Sequence, residues 1–256
     1  MTPPRVEAVV VTHGPDRDLD ACLAALGEQV ERIVVVANLP GAPADAPEGG
    51  LLLENVRPMG FAANVNRGMR ATSAEYVVVS NPDAVASGGA VRERVAFAER
   101  HPRAAILGPE MRYPDGRWQP SRRRFPTVGG TIVRRTPLRL LFPPERYQRG
   151  HYHLDERPTV PTPADWLLGG FLLIRRAAFD ELGGFDEGFR LYGEDIDLAY
   201  RAQRAGWERW LVPAAIVVHQ YHAVIDERFL TRRTWWHFRG MVRFVRRHPE
   251  CLRLTR

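Results

Sequence analysis

Short apolar runs alternate with helical patterns through the first hundred residues. Residues 6–11 are a β-branched run ending in Thr12-His13-Gly14, which reads as a buried strand entering a loop. Residues 18–26 follow with Leu19, Leu23 and Leu26 on one helical face. Residues 33–36 predict a second buried strand, then a Pro/Gly-rich loop over 38–50 and a third short strand at 51–53. Residues 60–71 predict a helix started by glycine, and 76–79 a fourth strand running into Ser80-Asn81-Pro82-Asp83. A helix over 89–100 and a strand at 104–107 complete the alternation. This is the pattern of an α/β protein: a Rossmann-like, open, mostly parallel sheet with helices on both faces. Ligands of such sheets sit beyond the carboxyl ends of the strands. The polar residues at those ends are Thr12, His13, Asn38, Asn81 and Asp83.

The pattern changes after residue 108. Residues 109–163 are rich in Arg, Pro and Tyr, with clusters Arg122-Arg123-Arg124 and Arg134-Arg135, and predict long loops, with mobility over part of 136–163. Tyr113-Pro114-Asp115-Gly116 is a hairpin signal. Residues 166–174 return to an apolar strand with Gly169-Gly170 inside it, glycines that imply close backbone approach. Residues 211–218 predict another buried strand, ending in His219-Gln220-Tyr221-His222. Residues 230–248 predict an amphipathic helix, with Trp235, Phe238, Met241, Val242 and Val245 on one face. Arg232, Arg239, Arg243, Arg246 and Arg247 share another face, with Trp236 among them. We therefore expect a main domain over 1–222, divided near 108, and a C-terminal amphipathic helical extension over 223–256.

Composition narrows the class. The chain has 256 residues, 45% hydrophobic and 26% charged, enough for a substantial core. Its net charge is +6, and every one of its 36 basic residues is arginine. That balance suits phosphate-bearing substrates, anionic membrane surfaces or nucleic acid. Helix-turn-helix, RNA-recognition and zinc-finger signatures are lacking, so nucleic acid is not the expected partner, and a basic nucleic-acid-binding protein without catalysis stands as the alternative from another class. Cys22 and Cys251 cannot make a disulfide framework or a metal site. With no signal peptide and no apolar run of about 20 residues, a cytoplasmic protein is expected. Peripheral contact with the inner face of the plasma membrane stays open beside a solvated, core-packed last helix. Oligomeric state is not legible.

The candidate chemistry concentrates in residues 183–201. Asp186, Glu187, Glu194, Asp195 and Asp197 lie there among Phe185, Phe189, Leu191 and Tyr192. Gly193 makes a corner, a helix follows to Gly206, and Asp197 and Arg201 are spaced to pair across one turn. Glu194 and Asp195 then stand at the helix entrance, where spacing alone balances helix capping against general-base chemistry. Asp83, after a strand, could hold Mg²⁺ on a nucleotide diphosphate or simply make an Asx turn. Asn64 and Arg67 share a face of the glycine-started helix, which matches neither the dinucleotide fingerprint nor the P-loop. His219 and His222 lack the HExxH setting, and His151 and His153 carry no signal.

Taken in order, these motifs resemble the family 2 glycosyltransferases of the GT-A fold, in particular a bacterial rhamnosyltransferase-like branch. The residues that carry the likeness are Gly60-Phe61-Ala62-Ala63-Asn64, Asn81-Pro82-Asp83, Trp166 to Arg176, Gly183 to Arg201 and a late histidine. The resemblance implies an inverting, Mg²⁺- or Mn²⁺-dependent transfer from a nucleotide-diphosphate sugar, with dTDP-rhamnose favoured and UDP- or GDP-sugars as alternatives. A glycan or lipid-linked sugar is the implied acceptor. Asp195 would be the base with Glu194 in support, and Asp83 and His219 would meet the metal. Thr12, His13, Gly14, Asn38, Gly60, Phe61, Asn64, Arg67, Asn81 and Asp83 would line the donor side. Trp166, Gly169, Gly170 and Tyr192 would line the acceptor side. The chain departs from the pattern at Asn81, where the metal motif has its first Asp, at Asn38, and at Pro58.

Overall fold

The β-branched runs form the middle of one large sheet, and side-chain alternation along them feeds two separate cores. The computed structural model describes residues 4–14, 16–41, 44–126, 153, 156–220 and 232–250. His151, His222, Arg134, Arg135 and the Arg232 side chain lie outside the described residues, as do residues 230–231 at the start predicted for the last helix.

The first elements are β1 (Val6–Thr12), α1 (Leu19–Gly27), β2 (Arg32–Ala37), β3 (Leu51–Glu54), α2 (Phe61–Arg70), β4 (Tyr76–Ser80), β5 (Ala84–Ala86), α3 (Ala90–Arg100) and β6 (Ala104–Arg112). Then come β7 (Trp118–Gln119), β8 (Arg122–Arg123), β9 (Thr162–Pro163), β10 (Trp166–Leu167), β11 (Phe171–Arg175) and α4 (Arg176–Glu181). The chain continues through α5 (Glu194–Arg204), β12 (Glu208–His219) and α6 (Arg232–Arg247).

The sheet order is β3-β2-β1-β4-β11-β6-β12-β5. Strands β3, β2, β1, β4, β6 and β12 run one way, while β11 and β5 run against them. Ala8, Val10 and Val35 face a core built with α1 and α3. Val9, Val11, Val34 and Val36 face the opposite core, with α2, α4 and α5. A third cluster, Trp166, Phe189, Ile196, Ala199, Tyr200, Met241 and Phe244, joins α5 to α6. Burying Met241 and Phe244 contributes about 1.5–3 kcal/mol each, which fastens α6 to the domain. Among the described residues, no helix is long and apolar enough to cross a membrane.

Three sequence expectations change. Residues 166–174 are not one strand: β10 pairs with β8 in a small second sheet, and Gly169-Gly170 turn the chain into β11. Strand β6 does not neighbour β4, because β11, from far along the chain, inserts antiparallel between them. The apolar face read on the last helix is divided. His237, Gly240, Met241, Phe244 and His248 turn inward, while Trp235, Phe238 and Val242 stay exposed. The Pro-Asp-Gly hairpin forms as expected between β6 and β7.

Candidate active site

Strand pairing assembles the first half of the site. Ala84 of β5 pairs with His219 of β12, so the preceding Asp83 stands beside the His219 ring. Asp83 Oδ1 is 3.4 Å from His219 Nε2, and Asn81 Nδ2 is 3.5 Å from the same nitrogen. Gln220 N donates to the Asp83 carbonyl and Asn81 N to the Gly170 carbonyl, fixing both loops. His219 Nδ1 faces Gln119 Oε1 at 3.1 Å, so a proton on Nδ1 leaves the Nε2 lone pair turned toward Asp83. The Asp83 side chain is 29% exposed and that of His219 3%. Among the described residues, no group of three or more His, Cys, Asp or Glu side chains is gathered to cage a metal. One carboxylate and one imidazole on an open side instead fit a cation that completes its shell with phosphate oxygens and water.

A strained turn assembles the second half. Tyr192 holds φ +70 and Gly193 φ +98 immediately before α5. The left-handed conformation costs a residue such as Tyr192 about 1–2 kcal/mol, and packing must hold it there. Helix α6 supplies that packing: a Cβ on Gly240 would lie 2.4 Å from the Tyr192 carbonyl oxygen, so only glycine permits this approach. Glu194 and Asp195 therefore open α5 from a fixed corner. Asp195 Oδ1 accepts a hydrogen bond from Ile196 N (2.9 Å), whereas Glu194 Oε2 is buried without a hydrogen-bond partner. Burial raises both carboxyl groups, Glu194 further than Asp195. The charge of Asp195 adds to the rise at Glu194. Backbone N–H groups of Ile196 and Gly169 and the nearby Arg123 restrain it at Asp195. A carboxylate tuned upward in this way is suited to taking a proton near neutral pH.

Two adjacent glycines link the halves. A Cβ on Gly169 would lie 3.5 Å from Asp195 Oδ2, and one on Gly170 only 2.9 Å from His219 Nε2. The turn between β10 and β11 thus touches the helix-entrance carboxylate with one residue and the sheet-edge histidine with the next.

The other acidic residues of 183–201 act as locks. Asp186 accepts from Arg243 Nε (2.8 Å) and Nη2 (2.7 Å), and pairs with Arg247 at 3.1 Å. Asp197, fully buried, pairs with Arg201 at 2.7 Å, as its spacing predicted, and with His248 Nε2 at 2.8 Å. Glu187 accepts from Asn66 Nδ2 (3.0 Å). Glu187 also pairs with Arg70 at 3.6 Å, so among the described residues Glu194 and Asp195 are the acidic side chains of the stretch that no salt bridge holds.

The donor-side candidates divide. The Thr12 hydroxyl donates to Asp16 Oδ2, which also accepts from His13 N (3.2 Å), and Gly14 takes φ +142. Asn38 is clamped to Met59 through both its amide atoms. Asn55 donates to Asn38 Oδ1 (3.0 Å) and Asn64 Oδ1 (2.6 Å), and Arg67 donates to Asn55 Oδ1. Asn38, Asn64 and Arg67 thus form one internal network that shapes the loop ahead of α2. A Cβ on Gly60 would meet the Arg190 backbone at 2.9 Å, and Phe61 N donates to the Arg190 carbonyl (3.0 Å). The glycine at this helix start is explained by a neighbouring loop of the same chain. Trp166 is buried in the third cluster and donates from Nε1 to the Arg124 carbonyl (2.8 Å). Tyr192 is half-buried on the loop before α5.

Asp16, Asn55, Gln119 and Arg123 were not singled out as site residues from the sequence. Each becomes visible through pairing across the fold. Asn55 closes the amide network, Gln119 orients His219, and Arg123 is brought near Asp195 by the β8–β10 ladder.

Known proteins resemble this chain in sequence and in fold. A model described as glycosyltransferase like family 2 matches residues 44–247. An N-acetylglucosaminyl-diphospho-decaprenol L-rhamnosyltransferase of Mycobacterium tuberculosis is 34% identical over 232 residues, 82% of this chain and 74% of the relative. Rhamnosyltransferase WbbL of Escherichia coli K12 is 38% identical over 87 residues, 34% of this chain and 32% of the relative. The solved structure of GalNAc-T7 with UDP, GalNAc and Mn²⁺ superposes with a TM-score of 0.68 at 15% identity, covering 95% of this chain. The chain spans about half, 48%, of that structure's length. Staphylococcus aureus TarS 1–349 with UDP-GlcNAc gives a TM-score of 0.59 at 12% identity, over 94% of this chain and 65% of that one. At such identities the structural likeness speaks for the fold, which is GT-A. The model match spans most of the sequence and the mycobacterial relative four fifths of it, so the chain belongs to glycosyltransferase family 2 and is a glycosyltransferase.

Proposed function

We propose that the chain is an inverting, divalent-metal-dependent rhamnosyltransferase. Its donor is dTDP-rhamnose and its acceptor a sugar carried on a polyprenyl diphosphate, within cell-envelope glycan synthesis. The observation that carries this reading is the Gly169-Gly170 turn, which touches Asp195 with one residue and His219 with the next. The name of the mycobacterial relative, an N-acetylglucosaminyl-diphospho-decaprenol L-rhamnosyltransferase, supports the choice of sugar and acceptor class.

In this reading Asp195 takes the proton of the acceptor hydroxyl as that oxygen attacks the anomeric carbon. The bond from that carbon to the donor diphosphate breaks on the opposite face, so the configuration inverts without a covalent enzyme intermediate. Glu194 is raised by burial and by the charge of Asp195, and in its protonated form it spares Asp195 a second adjacent charge. Asp83 and His219 would hold Mg²⁺ or Mn²⁺, which supplies positive charge to the departing diphosphate. Thr12, His13, Gly14 and Asn81 border the nucleotide, while the Asn38-Asn55-Asn64-Arg67 network fixes the loop beneath it. Trp166 and Tyr192 support the acceptor side.

The test is turnover with dTDP-rhamnose, UDP-hexoses and GDP-mannose in turn, with a prenyl-diphosphate-linked N-acetylglucosamine as acceptor, before and after EDTA. We expect transfer from dTDP-rhamnose, abolished by EDTA and restored by Mg²⁺ or Mn²⁺. Transfer from a UDP- or GDP-sugar alone would replace the donor assignment, and transfer unaffected by EDTA would remove the metal.

A further inference from the structure

Helix α6 leaves two unlike features side by side on its outer surface. Trp235, Phe238 and Val242, at i, i+3 and i+7, are 58%, 56% and 40% exposed, and the first two rings stack with centroids 6.0 Å apart. The stripe forms part of the wall of an open cleft of about 760 Å³ between α6 and residues 188–190, which Arg190, Trp236, Arg239, Arg243 and Arg246 also line. Arg243 is already bound to Asp186, so it belongs to the frame. Arg190 lies over the Trp236 ring at 5.2 Å. Among the described residues, no carboxylate stands within ion-pair distance of Arg190, Arg239 or Arg246. Three cations therefore converge on one cleft with no paired carboxylate among the described residues, and the exposed apolar strip forms part of the same wall.

Neither feature is accounted for by folding. Solvated arginines would not need a concave wall with an indole in it, and a stabilising α6 would turn Trp235 and Phe238 inward, as it does Met241 and Phe244. The position is informative as well. The cleft wall at residues 188–190 leads directly into Tyr192, Gly193 and the carboxylates of α5, and Gly240 presses on the Tyr192 carbonyl.

We propose that this cleft and stripe form the anchoring site for the acceptor's carrier, a prenyl diphosphate. Arg190, Arg239 and Arg246 hold the diphosphate by charge-assisted hydrogen bonds. Trp235, Phe238 and Val242 take the first isoprene units. The sugar at the other end of the diphosphate is then directed past Tyr192 toward Asp195. This inference deepens the proposed transfer and rests on it for the identity of the attached sugar, while the binding chemistry is independent of it.

The probe is farnesyl diphosphate, which carries the diphosphate and the prenyl chain without a sugar. Its binding to the full chain is followed by tryptophan fluorescence, with excess dTDP and Mg²⁺ present to fill the donor site. We expect saturable binding, weakened about tenfold or more in an Arg239→Glu/Arg246→Glu variant. A Trp235→Ser/Phe238→Ser variant, read by calorimetry, should bind severalfold more weakly than wild type. Inorganic diphosphate should bind more weakly than farnesyl diphosphate. Because the substituted residues are exposed, circular dichroism should show both variants folded. Unchanged farnesyl diphosphate affinity in both variants would overturn the proposal. So would tight binding to anionic phosphatidylglycerol vesicles that farnesyl diphosphate fails to compete, which would make α6 a general membrane surface. The two readings fail separately. Farnesyl diphosphate binding lost in the arginine variant, with no sugar transferred from any donor by the wild type, sinks the activity and keeps the cleft. Transfer with a wild-type KM for the lipid-linked acceptor in that variant sinks the cleft and keeps the activity.

Discussion

The sheet edge meets the glycine turn through His219, the neighbour of Asp83, and the entrance of α5 meets it through Asp195, yet the two carboxylates sit in opposite electrostatic settings. At the edge, Asp83 is partly exposed and shares its space with a histidine nitrogen, a setting that keeps a carboxylate available to a cation. At the helix entrance, burial raises Glu194 and Asp195 and holds a proton close at hand. In the proposed reading Asp83 offers oxygen to a cation and Asp195 receives a proton, and burial rather than residue type distinguishes the two carboxylates.

The sharpest way to break this contrast is Asp195→Asn, which removes the proposed base while keeping its shape. Transfer should fall about 10³-fold, with donor affinity by calorimetry held within about twofold. Full turnover would remove the base assignment. In the wild type, the acidic limb of kcat/KM should lie above the ordinary carboxylate range, because Asp195 titrates high.

Asp197→Ala tests the locks that frame the base. It would leave Arg201 and His248 facing a buried gap, and should cost about 3–5 kcal/mol in a denaturant titration. A loss confined to activity, without destabilisation, would mean that Asp197 belongs to the chemistry.

At the sheet edge, Asp83→Asn should weaken nucleotide binding about 10- to 100-fold when Mn²⁺ is present and little when it is absent. Equal weakening in both conditions would point to direct contact with the nucleotide.

The glycine turn offers a finer comparison. Gly170→Ala drives a methyl group to 2.9 Å from His219 Nε2, while Gly169→Ala meets Asp195 Oδ2 at an ordinary 3.5 Å. The first should lower Mn²⁺-supported donor affinity about tenfold, and the second should change it less than about twofold. The reverse order would mean that the His219 ring yields freely.

The smallest effect expected is on stability. Glu194 titrates higher folded than unfolded, so the native state binds more protons and its stability falls as pH rises from the ordinary Glu range through the folded pKa. Glu194→Gln removes that slope. Its Tm should match wild type near pH 4 and exceed it progressively toward neutral pH and above. A parallel pair of Tm curves would show that burial does not perturb Glu194.

Much of this molecule was readable in its residue order. The strand runs, the helices over 19–27, 61–70, 90–100 and 194–204, the hairpin and the Asp197–Arg201 pair all follow from local periodicity and turn chemistry. Spacing alone left Glu194 and Asp195 between capping and catalysis, and the family resemblance moved them toward catalysis. The structure adds that both carboxyl groups are buried and raised, which is the observation the proposed base role draws on.

Other assignments were beyond local information. Asn38, Asn64 and Arg67 look like ligand-facing polar residues until Asn55 is seen to bind Asn38 and Asn64 and to receive Arg67. Gly60 looks like a phosphate cradle until the Arg190 backbone is found against it. The division of α6 into a buried and an exposed face depends on what it packs against, and periodicity cannot supply that.

The sequence by itself determined the alternating elements, the acidic turn and the family to which they belong, because those signals are carried by neighbouring residues. The tertiary structure alone decided that β11 would insert between β4 and β6 and that β5 would pair with β12. Those long-range pairings carry Gly169-Gly170 from one half of the site to the other and set Asp83 beside His219. Strand registry across distant segments is set by the packing of whole faces, so no local pattern could have announced it.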